Sequence, residues 1–363
     1  MKGTSPHPNP LRQGEGTDAM QPSPAPKRTW IRRLRRMLLV VVVLVVAAVV
    51  GVWWVMIRMP GATLAGPLPV MTDDESRLRD DLRRDVTHLA TTIGPRHLGR
   101  YPALVQAAEY IAAQFQAAGY DVDQQEYTVN GLKCWNVGVE LRGKTKPEEI
   151  LIVGGHYDTV PRSPGANDNA TGAAATLALA RRFAGRAQPR TIRFVAFVNE
   201  ESPYAHSHLM GSRVYAARCG QRREKIIGAL SLETMGYYRD QPGSQRYPKP
   251  LDRFYPDTAN FIAVVSNVGS REFVRQIVAS FRRQGRFPCE GGAVPEWAGS
   301  ARSDHWSFWQ EGYRAAMITD TANFRYPHYH EPTDTPDKLD FDRLARVVGS
   351  VEGVIVELAS EKK

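Results

Sequence analysis

Three apolar runs in this chain each end in side chains that can bind a metal or move a proton. That pattern constrains the fold more than any other feature. Ile150-Leu151-Ile152-Val153 passes through two glycines into His156-Tyr157-Asp158, residues 192–198 run into Glu200-Glu201, and Ala229-Leu230-Ser231-Leu232 runs into Glu233. Short apolar runs bounded by turn residues read as buried parallel strands. An open parallel sheet gathers its ligands outside the carboxyl ends of its strands. The expected fold class is therefore α/β, a mostly parallel twisted sheet flanked by helices, with these five polar residues on one rim.

Two loops add to the set. Gly165-Ala166-Asn167-Asp168-Asn169-Ala170-Thr171-Gly172 places Asp168 in a polar turn ahead of an Ala-rich helix at 173–183. Residues 326–335 follow another apolar strand at 315–319 and offer His328 and His330; the His330-x-x-x-Asp334-Thr335 spacing favours His330. Mixed His and carboxylate ligands without Cys suit zinc or a similar first-row ion. A carboxylate can bridge two ions about 3.5–4 Å apart, a pairing typical of aminopeptidases. Successive side chains on a strand alternate direction, so one of Glu200 and Glu201 can coordinate while the other reaches a water. Asp158 is the right type to accept the second ring N–H of His156. Asp304 and His305 read either as the cap of a helix continuing Trp306-Ser307-Phe308-Trp309 or as substrate contacts. His206 and His208 read as loop histidines. A Gly-rich phosphate loop with its Lys is absent, as is the GxSxG elbow of serine hydrolases.

The motifs GGHYDTVP, PGANDNATG, FVNEE, SLETMGYY, SDHWSFW and HYHEPTDTPDKLD, in this order, resemble metallopeptidase family 28. These are the di-zinc aminopeptidases that include aminopeptidase Y and secreted bacterial leucyl aminopeptidases. The resemblance covers residues 73–358 and implies the zinc aminopeptidase (phosphorylase/hydrolase-like) fold. It also implies two Zn2+ ions bridged by Asp168, one held by His156 and Glu233 and the other by Glu201 and His330. Glu200 would then be the general base, Asp158 the partner of His156, and Asp168–Asn169 a cis peptide. The implied substrates are peptides with a free N-terminus. The chain departs from the family in having Glu233 where many relatives have Asp, and in flanking Asp168 with Asn167 and Asn169 instead of aspartates. Two other readings stand beside it: a glutaminyl cyclase of the same fold, and a non-catalytic ectodomain serving as a binding module. The filled ligand positions argue against the second.

The formal charge of +9 invites a nucleic-acid reading. The charge is local, however: residues 1–36 carry a net +6 and Arg58 one more, leaving about +2 for the rest. No phosphate-backbone binding is expected from so neutral a remainder. Residues 37–57 form an uninterrupted apolar stretch of 21 residues, enough to span a hydrocarbon core of roughly 30 Å. The basic flank sets its N-terminal side in the cytoplasm, with Trp53 and Trp54 at the far interface. A cleaved signal peptide usually has a shorter apolar core, about 7–15 residues, so a retained anchor is expected. The expected division is a disordered basic cytoplasmic tail (1–36), a transmembrane anchor (37–57), a linker (58–72) and a peptidase domain (73–363) lying in the periplasm or outside the cell. Cys134, Cys219 and Cys289 suggest no disulfide scaffold. Thr72-Asp73-Asp74-Glu75 should cap a helix with Leu78, Leu82, Val86 and Leu89 on one face. Further helices are expected at 103–118 and 341–359, and strands at 122–129 and 132–141. Residues 237–261 and 286–301 look irregular, the places where lids and pocket walls arise.

Overall fold

The computed structural model of the chain describes residues 1, 3 and 29–360. Most of the expected tail therefore lies outside the described residues. Two compact units emerge, Met1–Gly51 and Val52–Lys363. Apart from residues 1 and 3, the described part of the first lies in helix α1 (Thr29–Val52), which begins inside the basic cluster expected to be unstructured and buries no residue. With the adjoining π turn Trp53–Ile57, this helix is long and apolar enough to cross a membrane.

The second unit holds eight strands: β1 (Val122–Val129), β2 (Leu132–Leu141), β3 (Lys146–His156), β4 (Arg190–Phe197), β5 (Lys225–Leu232), β6 (Ile262–Ser266), β7 (Cys289–Ala293) and β8 (Ala315–Thr319). Its helices are α2 (Asp73–Thr87), α3 (Tyr101–Ala117), α4 (Thr171–Phe183), α5 (Gly211–Gln221), α6 (Arg271–Gln284), α7 (His305–Trp309) and α8 (Phe341–Ala359). The strands form one sheet in the order β1-β2-β4-β3-β5-β8-β6-β7. The central four, β4, β3, β5 and β8, are mutually parallel, while β2 joins β4 and β6 joins β8 antiparallel.

Helices cover both faces of the sheet because each central strand is apolar on both sides. Along β3, Leu151 and Val153 pack into the layer of α2, α3, α4, α6 and α8, and Ile150 and Ile152 into the smaller layer with Tyr215 of α5 and Phe308 of α7. Leu78, Leu82, Val86 and Leu89 are buried as their spacing predicts. Since β3, β4 and β5 run parallel, their carboxyl ends bring His156, Glu200, Glu201 and Glu233 to a common rim. Two stretches differ from expectation. Residues 286–301 contain the edge strand β7, and residues 58–63 of the expected linker are hydrogen-bonded to β7 and α6.

Candidate metal centre

His156 is the last residue of β3 and is fully buried. Its Nε2 lies 3.3 Å from Asp168 Oδ1 and 3.1 Å from Glu233 Oε2. His330 approaches from the other side, its Nε2 3.0 Å from Asp168 Oδ2 and 3.3 Å from Glu201 Oε2. Asp168 thus stands between two groups, His156–Glu233 and Glu201–His330, each able with it to hold an ion; His156, Glu200 and Glu201 form a third such group. Both oxygens of Asp168 and Oε1 of Glu201 are buried without a hydrogen bond. Buried carboxylate oxygens are normally satisfied, so an ion fits these orphaned acceptors and the donor set suits zinc.

The local chain explains the placement. The Asp168–Asn169 peptide is cis. Asn167 donates its side-chain amide to Asp320 and Asn169 donates its own to the Leu232 carbonyl at 2.8 Å, contacts that aspartates could not make. A Cβ on Gly172 would sit 2.1 Å from the Leu232 carbonyl oxygen, so the Asp168 turn can meet β5 only through glycine. Asp158, expected as a partner of His156 alone, also receives the backbone N–H groups of Glu200 (3.1 Å) and Glu201 (3.2 Å). The nearer partner of His156 Nδ1 is the Asp158 backbone carbonyl at 3.2 Å, its carboxylate lying 3.5 Å away.

Glu200 points elsewhere than Glu201. Its Oε2 is 3.9 Å from His156 Nε2 and it contacts neither His330 nor Asp168 among the ion pairs of the described residues. Burial raises the Glu200 and Glu233 carboxyls, and burial with the Asp168 charge pushes Glu201 up to about 7. Burial would raise Asp168 too, but His156 and His330 hold it below its ordinary value. Burial opposes charge on the histidines, yet the carboxylates prevail, raising His156 and lifting His330 to about 10. Without metal the cluster therefore stores protons.

Asp304 and His305 are fully buried. Asp304 makes no capping bond at α7, and burial pushes its carboxyl up to about 7. The charges that act on it are those of His156, Glu233 and Asp158. His305 binds the Ser300 carbonyl, and burial lowers it to about 4. His206 and His208 are exposed on the 202–210 loop and belong to none of the candidate metal groups.

Four residues were given no role in the site by the sequence reading, although Ser303 and Asp334 fell within its motifs. Arg96 is fully buried and donates to the carbonyls of Tyr157, Pro164 and Gly165, tying down the loop between His156 and Asp168. Asp334 accepts the backbone N–H groups of Asn167 and Asp168 at 2.8 and 3.1 Å. Ser303 donates to Glu233 at 2.8 Å. Tyr329 stacks on His330 at 3.9 Å, and burial together with the surrounding carboxylates keeps its phenol protonated. Of these, Asp334, by its spacing from His330, and Ser303, at the head of the SDHWSFW motif, carried a sequence signal. The three free cysteines are buried.

Two cavities flank the cluster. One, of about 120 Å³, is walled by Glu233, Tyr329, Tyr247, Tyr255, Phe261 and Met317 among others. The second, of about 220 Å³, lies against Asp158 and Glu201 and is lined by His97, Pro203 and Tyr204.

The sequence profile of Peptidase family M28 matches residues 136–353. The protein YfbL of Escherichia coli (strain K12) is 35% identical over 293 residues, covering 78% of this chain and 88% of its own. The probable leucine aminopeptidase 1 of Trichophyton verrucosum is 26% identical over 302 residues, covering 77% of this chain and 74% of its own. Among solved structures, a zinc aminopeptidase from Bacillus subtilis superposes with a TM-score of 0.64 at 16% identity, covering 82% of this chain and 97% of that one. The glutaminyl cyclase of Fimbriiglobus ruber superposes at 0.59 with 22% identity, covering 81% and 99%.

Proposed function

The chain belongs to peptidase family M28 and is a peptide hydrolase, and we propose that it is a membrane-anchored, zinc-dependent aminopeptidase acting outside the cytoplasm. The observation that carries this reading is Asp168, whose two unsatisfied oxygens face opposite His–carboxylate pairs. In this reading Asp168 bridges two zinc sites, one completed by His156 and Glu233 and the other by Glu201 and His330. Zinc held there supplies Lewis acidity and acidifies a water. Glu200, whose one ion pair among the described residues is the long 3.9 Å approach to His156, takes the proton of the attacking water and hands it to the leaving amine. Asp158 and Arg96 hold the ligand-bearing backbone still. The Tyr329 hydroxyl is a preorganised donor for the carbonyl oxygen as charge builds on it. The cavity beside Glu233 and Tyr329 receives the side chain of the first residue, and the cavity by His97 and Tyr204 accepts the remainder of the peptide.

The proposed division keeps residues 1–36 as a cytoplasmic tail, 37–57 as the anchor, 58–72 as the linker and 73–363 as the catalytic domain. The likeness to a glutaminyl cyclase structure favours one second reading, cyclisation of an N-terminal Gln. Zinc-loaded protein offered aminoacyl-amides and Gln-initiated peptides decides between them. Release of free amino acids supports the aminopeptidase, whereas pyroglutamyl product without hydrolysis supports the cyclase. Absence of both, with no zinc bound, would leave a binding module.

A further inference from the structure

The cavity beside Glu233 is walled on one side by β7, the edge strand of the sheet. Its sequence is Cys289-Glu290-Gly291-Gly292-Ala293, and Glu290, Gly291 and Gly292 all line the cavity. Two consecutive glycines give a strand no side chains to lock it in place, so the backbone must be held from outside. Tyr255, itself in the cavity wall, donates to the Gly291 carbonyl at 2.8 Å.

The other support comes from the segment just after the anchor. The Thr63 hydroxyl donates to the Cys289 carbonyl at 3.1 Å and accepts the Cys289 N–H at 2.9 Å, satisfying both backbone groups of that residue. Met59 packs at Gly291, where a Cβ would lie 3.0 Å from Met59 Cγ. Arg275 donates to the Arg58 carbonyl at 2.7 Å. Arg282, with 8% of its side chain exposed, bonds the carbonyls of Pro60 (3.2 Å), Gly61 (2.8 Å) and Cys289 (2.8 Å) and the Glu290 carboxylate (3.1 Å). One guanidinium therefore joins the segment to the cavity wall.

We propose that residues 58–63 form a strap that sets the position of the cavity's β7 wall, with Arg282 as the positioning residue between strap and wall. Binding of the substrate's first side chain then depends on how residues 58–63 hold β7. The inference rests on the reading of this cavity as the side-chain pocket of an aminopeptidase. An edge strand needs cover in any case, but cover alone would not tune the cavity. The distinction lies in which substrates feel the change.

The test uses the full chain in detergent with zinc, the variants Arg282→Met, Arg282→Lys and Thr63→Val, and aminoacyl-amides of alanine, leucine and phenylalanine. For Arg282→Met, KM for the leucine and phenylalanine substrates should rise about tenfold, the scale of one lost hydrogen bond to a charged group, and under about twofold for alanine. Turnover and zinc content should hold. Arg282→Lys should recover part of the loss, and Thr63→Val should move KM the same way by less. An equal rise for all three substrates, or none for any, would overturn the strap. Hydrogen exchange at residues 290–293 provides a readout independent of catalysis, and should quicken in both Arg282→Met and Thr63→Val. If the wild type cleaves no aminoacyl-amide, the aminopeptidase reading fails, and unchanged exchange in Thr63→Val would separately sink the strap.

Discussion

Glu200 and Glu201 are adjacent in sequence, yet only Glu201 lies within pairing distance of His330. Glu200→Gln keeps the size of the side chain while removing its basicity, so kcat should fall by about 10²–10⁴-fold. Zinc content, read by elemental analysis, should be unchanged; in Glu201→Gln it should fall together with activity. The assignment of the pair is wrong if Glu200→Gln turns over normally. Arg96 acts on a different part of the site, the loop between His156 and Asp168, through the carbonyls of Tyr157, Pro164 and Gly165. A lysine cannot reproduce that fork. Arg96→Lys should weaken zinc binding about 10–100-fold, as outer-shell losses typically do, measured by chelator competition. The protons stored in the cluster give a further expectation. Zinc takes deprotonated ligands, so its apparent affinity should climb with pH through about 7, where Glu201 titrates, and on toward about 10, where His330 does. Linkage gives the sign for stability. Both groups have folded values above their ordinary 4.5 and 6.5, so the stability they lend the metal-free protein is complete below those values and lost as pH rises through about 7 and about 10. Melting of the metal-free protein should therefore fall steadily over that range, and a flat profile would contradict the proton store.

At the scale of elements, what the sequence made legible depended on whether local and tertiary forces agreed. Helix α2 shows agreement: the Thr72 hydroxyl accepts the Glu75 N–H at 3.1 Å and the Glu75 carboxylate accepts the Thr72 N–H at 2.9 Å, the reciprocal cap its first residues suggest. Thr72→Ala should cost about 1 kcal/mol, seen as a shift in the denaturation midpoint of the zinc-loaded chain. The gathering of His156, Glu200, Glu201 and Glu233 on one rim was legible for a similar reason, since apolar strands ending in His or Glu leave little choice of where the polar group goes. Strand β7 was not, because Gly291 and Gly292 carry neither alternation nor strand propensity. It pairs with β6 along its length, and Tyr255, Arg282 and Thr63 bond its backbone carbonyls. Helix α6 was missed although Phe273, Val274, Ile277, Val278 and Phe281 mark one buried face; Arg and Gln residues between them mask the run. Arg96 gave no signal at all, because a lone arginine in a loop looks the same whether it faces water or, as here, five carbonyls.

For the whole molecule, the candidate ligands come from the ends of β3, β4 and β5, from the turn before α4 and from the loop after β8, so an ion held among them would tie distant parts of one chain. Metal bound only by the folded state stabilises it by about 2.7 kcal/mol at a hundredfold excess over Kd, and chelation should remove that increment, seen as a lower melting temperature. The helix from Thr29 to Ile57 is a candidate span by length and composition, and charge sets its orientation. Eight Lys or Arg precede residue 37, against two acidic residues. Loops rich in Lys and Arg stay in the cytoplasm, and on the proposed reading that would send the catalytic domain across the bilayer. A C-terminal reporter that works only after export should therefore be active in a bacterial host, and one that works only in the cytoplasm should be silent. The intact N-terminus should stay with the membrane fraction at alkaline pH, because a retained helix resists extraction whereas a cleaved signal releases the domain. Replacing Arg32, Arg33, Arg35 and Arg36 with glutamine should weaken the topological preference without changing the insertion of the apolar segment. Cytoplasmic reporter activity in the unmodified chain would place the metal centre on the wrong side for this reading, and release of a domain shortened by its first 57 residues would replace the anchor with a signal peptide.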